Sequence, residues 1–161
     1  NNKVSALTSR LDTVAPEEKE PETLDEFKAA KKKEVGKDCE QTIYAGVDVK
    51  LSNGSTEHFS LLERDQLNLF GKQVQMASGA TQLEYHTDGQ TCRYYNAEDM
   101  QLIITAAMNF VSYHTTYCNA VNMWIAGCET VDEIQQIYYG ADVPDQYQSD
   151  VLKVYLAAKT K

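Results

Sequence analysis

An α+β fold is predicted, with two β-hairpins packed on a long central helix with flanking helices, preceded by a short coiled-coil-like N-terminal arm. Three observations predict it. Residues 96–127, NAEDMQLIITAAMNFVSYHTTYCNAVNMWIAG, hold apolar residues at steps of three and four over a span far longer than most helices of small domains. Two other stretches alternate around Asn53-Gly54 and Asp88-Gly89, as hairpins do. Ser or Thr followed three residues later by Glu, the reciprocal capping arrangement of a helix start, occurs at Thr23/Glu26, Ser60/Glu63 and Thr130/Glu133.

In the long stretch, Met100, Ile103, Ile104, Ala107, Val111, His114, Cys118, Val121 and Ile125 share one side of a 3.6-residue helix. Asn96 can accept from the first free N–H groups, and Glu98 and Asp99 suit the positive end of the dipole. Gly127 is expected to take a left-handed conformation past the end. At 1.5 Å per residue the helix would run roughly 45 Å, so the other elements are expected to pack along it.

Taken from the start, Val4, Leu7, Leu11 and Val14 are spaced three, four, three, the a/d rhythm of two heptads. So short a helix is marginal alone and needs a partner, either its own domain or copies of itself. These residues are the candidate oligomerisation seam of an arm over residues 1–14. Residues 15–22, APEEKEPE, read as a solvated linker, and residues 23–161 as the body.

The body opens with a helix holding Leu24, Phe27, Ala30 and Val35, carried through Gly36 towards Cys39 and Ile43. Lys31 to Lys33 read as its solvated face. In the first hairpin, a two-residue Asn53-Gly54 turn would mix faces. A three-residue loop Ser52-Asn53-Gly54 sets Val47 opposite Phe59, with Gly54 left-handed. In the second, a two-residue Asp88-Gly89 turn pairs Leu83 with Tyr94, Tyr85 with Cys92 and Glu84 with Arg93. Between them, Ser60/Glu63 is expected to open a helix with Gln66, Leu67, Phe70, Val74 and Ala77, stopping at Gly79. After the long helix come a short helix ending before Gly140 and a last helix begun by Pro144, with Tyr147, Val151, Val154, Tyr155 and Ala158 as its stripe.

With 161 residues the chain has core enough to fold without disulfide or metal staples. Its net charge of -9 argues against a general nucleic-acid or anionic-membrane binder. Four cysteines, Cys39, Cys92, Cys118 and Cys128, lie far apart with no CxxC and are expected to be reduced. No apolar run approaches a spanning helix and no signal peptide opens the chain, so a soluble protein is expected. The first residue is Asn1 rather than Met, which is compatible with a natural start upstream.

A mixed site of His114, Cys118, His86 and Cys92 matches no zinc module, and His114 reads as a hydrogen-bonded core histidine. No strained nucleophile turn such as GxSxG is present. Asp88, Glu98 and Asp99 sit near a turn and a helix start, where capping accounts for them better than paired-carboxylate hydrolysis. The sequon at Asn53 carries meaning only in a secretory pathway. Tyr94, Tyr117 and Tyr155 read as core-rim residues. Catalytic, cofactor and metal residues are therefore expected to be absent.

Six segments then stand in a distinctive order: AAKKKEV, YAGVDVKLSNGSTEHFSL, DQLNLF, YHTDGQTCRYYNAEDM, YHTTYCNAV and ETVDEIQQIYYGADVP. In this order the chain, over about Leu24 to Val151, resembles the uncharacterised domain of phage and prophage tail-associated, baseplate or tail-fibre proteins, mainly of Gram-positive hosts. The resemblance implies a non-enzymatic structural or adaptor role in the virion, with other tail or baseplate proteins as partners. It brings no catalytic or cofactor residues. Tail fibres favour a homo-oligomer, a trimer first, made in the host cytoplasm and carried in the tail. Neither nucleic-acid binding nor membrane insertion is expected. The alternatives are a tail-fibre assembly factor absent from the finished virion and, behind it, a cell-wall or saccharide hydrolase.

Overall fold

The structure, a computed structural model, describes residues 20–159. The arm seam Val4, Leu7, Leu11 and Val14 and most of the linker lie outside the described residues. Helix α1 spans Leu24–Ala45, and Thr23 caps it as expected: the Glu26 N–H donates to Thr23 Oγ1 at 3.3 Å while the Thr23 N–H donates to Glu26 at 3.0 Å. The helix runs through Gly36 without a break, with Val35, Cys39 and Ile43 buried and Ala30 exposed. Strands β1 (Val47–Lys50) and β2 (Thr56–Phe59) pair antiparallel with Val47 opposite Phe59. The Leu51 N–H donates to Ser55 O at 2.8 Å, leaving Ser52, Asn53 and Gly54 as the loop, and Gly54 takes φ 86°. The matching of faces thus read this register correctly, and Val49, Leu51 and Phe59 are buried on one side.

Helix α2 (Glu63–Ala77) departs from expectation at its start and on its faces. Its N-cap is Leu62, not Ser60; the cap is made backwards, by the Asp65 carboxylate accepting the Leu62 N–H at 3.1 Å. Ser60 instead donates its N–H and hydroxyl to Asp88, both at 3.0 Å. Only Leu69 is fully buried, with Gln66 and Met76 half-buried beside it. Leu67, Phe70 and Val74, three of the residues from which the helix is expected, face outward. The stop at Gly79 is as expected: φ is 97°, and Ala80 N–H reaches Gln75 O at 3.1 Å while Gly79 N–H reaches Met76 O at 2.9 Å.

Strands β3 (Gln82–Tyr85) and β4 (Arg93–Asn96) pair one residue out of the expected register: Leu83 faces Tyr95, Glu84 faces Tyr94 and Tyr85 faces Arg93. A one-residue slip turns a strand over, so Tyr95 is buried, Tyr94 is 68% exposed and Cys92 is exposed. The cause lies in the other hairpin. Thr87 Oγ1 and the Asp88 N–H both donate to His58 O, which draws the loop between β3 and β4 across β2. Tyr95 then donates its hydroxyl to Glu57 at 2.6 Å, and Arg93, expected on Glu84, pairs with the same Glu57 at 2.6 Å while lying 3.8 Å over the Tyr95 ring. Glu84 takes Lys72 of α2 at 2.9 Å.

Helix α3 (Ala97–Gly127) is the long central element, capped by Asn96, whose Oδ1 accepts the Asp99 N–H at 2.8 Å. Of the expected stripe, Met100, Ile103, Ile104, Ala107, Val121 and Ile125 are buried, and Val111, His114 and Cys118 are half-buried. The helix does not end on a left-handed glycine: Gly127 is still helical and Cys128 leaves in an extended conformation. Glycine is there for room instead, since a Cβ would lie 2.8 Å from Cε1 and Cζ of Tyr147. One core joins the hairpins to the N-terminal half of α3 and the end of α1. A second joins the C-terminal half of α3 to the start of α1, to α4 (Val131–Gln135) and to α5 (Asp150–Lys159). The Thr130/Glu133 box opens α4 as expected. Pro144 begins only a 3₁₀ turn, Asp145–Tyr147, and Gln148 is extended, so α5 starts afresh at Asp150. That break changes the phase of the stripe: Leu152 is buried and Leu156 and Tyr155 are half-buried, while Val151, Val154 and Ala158 are exposed.

His58, at the junction of the hairpins, lies between two acceptors. Nδ1 is 2.7 Å from Asp48 and Nε2 is 2.6 Å from Ala45 O, so both nitrogens donate, which requires imidazolium. The Asp48 hydrogen bond, with help from the Ala45 carbonyl, raises its pKa above the ordinary histidine value. A raised folded pKa gives stability that is fully present below the unfolded value and lost as pH rises through the folded one. Asp48→Asn is expected to lower the His58 midpoint in an NMR titration; an unchanged midpoint would refute this assignment.

Candidate interaction surface

Leu67, Phe70 and Val74 form a row along α2 that is 70%, 55% and 51% exposed. Their steps of three and four set them on one side of the helix, apart from the side where Leu69 meets α3. Phe70 leans over a groove of about 260 Å³, floored by Ile104 and Ala107 and flanked by Met108, which is itself exposed. Burying such side chains stabilises by roughly 1.5–3 kcal/mol each, so a row of three left in water is a surface shaped for cover. Its polar neighbours are already used by the fold: Asp65 caps α2, and the Gln66 amide donates to Leu61 O at 2.8 Å. In the DQLN segment the first two residues therefore build the helix start, and Leu67 and Asn68 face outward.

A second concavity, of about 500 Å³, is lined by Tyr113, His114, Tyr117, Tyr139 and Lys159 among others. Several of its polar atoms are bonded to one another or to the backbone. Tyr117 donates to Ala141 O at 2.6 Å and accepts the Gly140 N–H at 2.9 Å, His114 Nδ1 is 2.6 Å from the Tyr139 hydroxyl, and Lys159 lies 3.4 Å over the Tyr113 ring. Burial, helped by Lys159, lowers the His114 pKa, so a neutral imidazole is favoured there. These bonds fasten the segment after α4 and the end of α5 onto α3.

The histidines and cysteines considered together do not meet. His114 and Cys118 stand one turn apart on α3, while His86 and Cys92 are exposed on the loop between β3 and β4. Cys39 donates its thiol to His114 O at 3.5 Å, and burial pushes the Cys118 thiol up to about 11. Among the described residues no group of three or more His, Cys, Asp or Glu is placed to hold a metal ion. The carboxylates also have structural partners: Asp88 takes Ser60, and Asp99, almost wholly buried, accepts the Ser52 N–H at 2.8 Å and so ties the first hairpin to α3. Glu98 is exposed in the first turn of α3. Of the expected solvated face Lys31 to Lys33, Lys32 and Lys33 are exposed, whereas Lys31 is half-buried and pairs with Glu34 at 2.9 Å. Asn53, of the sequon, accepts the Ser55 N–H at 2.9 Å at the hairpin tip.

The row on α2 escaped sequence reading because periodicity says which residues share a side, not which side is covered. The signal that could have found it was the presence of two apolar rows on α2, Leu67/Phe70/Val74 and Leu69/Met76, only one of which a single neighbouring helix can cover. Among the described residues no helix is long and apolar enough to cross a membrane. Comparison with protein-family models, with curated proteins and with solved structures found no match.

Proposed function

We propose that this chain is a non-enzymatic structural or adaptor component of a phage tail, baseplate or tail fibre, working as a homo-oligomer, with a trimer favoured. The exposed apolar row of Leu67, Phe70 and Val74 on α2 carries the adaptor part of the reading, because a body that leaves such a row in water is built to be covered by protein. The order of six segments resembling tail-associated domains supports the tail part. In this reading its partners are other tail or baseplate proteins, it resides in the virion tail after synthesis in the host cytoplasm, and it neither binds nucleic acid nor enters a membrane. Mass spectrometry of purified phage particles from the strain that encodes the chain tests this. Peptides of the body are expected in fixed ratio to tail proteins. Their presence in the lysate with nascent fibres but not in finished particles would make the chain an assembly factor. No association with tail proteins at either stage would overturn the tail reading.

A further inference from the structure

We infer that the row on α2 is the receptor for the N-terminal arm of a second copy of this chain. This rests on the homo-oligomer in the reading above and gives it an interface. Leu67, Phe70, Val74 and Ala77 follow steps of three, four and three, and Val4, Leu7, Leu11 and Val14 follow the same steps. Wound as the helix that its spacing predicts, the arm would present a seam as long as this row, about 15 Å, and the two would pack side by side by knobs into holes. The arm also carries Lys3 and Arg10 against one acid, Asp12, in a chain of net charge -9, which favours its approach to a body of opposite sign.

The place where the described chain begins selects a neighbour's arm over the copy's own. Lys28 near the start of α1 donates to Ala126 O at 2.9 Å, so the arm is attached beside the far end of α3. The groove beside Phe70 is floored by Ile104 and Ala107 and bounded by Val111. From the level of Thr23, past that of Ala126, down to Val111 is about 30 Å at 1.5 Å per residue. The chain from Val14 to Thr23 stretches to at most about 30 Å. A copy's own arm would reach the row only with the linker pulled straight, whereas an adjacent copy, whose arm hangs on the same linker, can sit where that linker stays slack. The contact joins two different patches, so two copies can satisfy it reciprocally, or three or more can satisfy it head to tail in a ring where the rotation closes.

Sedimentation equilibrium of the full chain and two double variants tests this. Leu67→Glu/Val74→Glu blocks the receptor at exposed positions, and Leu7→Glu/Leu11→Glu blocks the arm; circular dichroism checks that both fold. The unaltered chain is expected at a multiple of 18.1 kDa and each variant at 18.1 kDa alone. An equal mixture of the two variants is expected to form a species of twice that mass, because one intact arm still meets one intact receptor. A monomeric unaltered chain would overturn the inference. So would a receptor variant that keeps the full oligomer, since the arms would then be bundling with one another, or a mixture that stays monomeric. In either of these last two cases the tail reading stands or falls separately, on the composition of the particles.

Discussion

Gly46→Ala is expected to lower the unfolding free energy by about 3–5 kcal/mol, the upper tail for single substitutions. Gly46 ends α1 at φ 90° and ψ -166°, a conformation essentially confined to glycine, where a side chain is strained by roughly 1–3 kcal/mol. Space adds to the strain. A Cβ built there would meet the Phe59 carbonyl oxygen and lie 2.6 Å from Ser60 Cα and 2.7 Å from Phe59 C, all backbone atoms that cannot swing aside. Relief would require parting α1 from the strand that carries Phe59. A domain of this size is stable by about 5–15 kcal/mol, so the loss is a large share of the total. Urea unfolding followed by circular dichroism measures it. Gly54→Ala is the control: φ is 86° there too, but no atom lies within 4 Å of an added Cβ. Equal losses at the two sites would show that backbone strain alone, not the close approach of β2, makes Gly46 necessary.

Phe59→Ala is expected to cost about 3–5 kcal/mol, the range for a large aromatic emptied from a core. Phe59 is 1% exposed and its ring lies 6.0 Å from that of Tyr85 and 6.1 Å from that of Tyr95. It is the point at which the two separate hairpins share one core, so a cavity there loosens both. Phe59→Leu, which keeps most of the volume, is expected to lose much less. Hydrogen exchange locates the effect: amides of β3 and β4 should lose protection along with those of β2. Faster exchange confined to β1 and β2 would mean that the hairpins are held independently, against the packing described.

Much of the fold was legible because its signals are short in range. Thr23/Glu26, Thr130/Glu133 and Asn96 cap their helices through atoms within a few residues, and Gly54 determines the first loop from inside it. The long stripe from Met100 to Ile125 reads as the buried side of a central helix because the residues opposite are mostly polar. Local chemistry of this kind suffices for the α+β class, for the helix boundaries it caps and for one hairpin register. It does not suffice where the deciding partner is distant in the chain. The second register is drawn over by His58 and held by Glu57, neither of which is in that hairpin. Ser60 is taken from its expected cap by Asp88, Gly127 is required by Tyr147, and the extended Gln148 resets the phase of α5. The candidate surface belongs with these. Leu67, Phe70 and Val74 have the spacing of a core stripe and are a surface only because Leu69, on another side of the same helix, is the residue that reaches α3. Spacing along one chain fixes which side chains stand together; which of two apolar sides is covered depends on the volume already filled by the rest of the fold, and tertiary packing alone decides that.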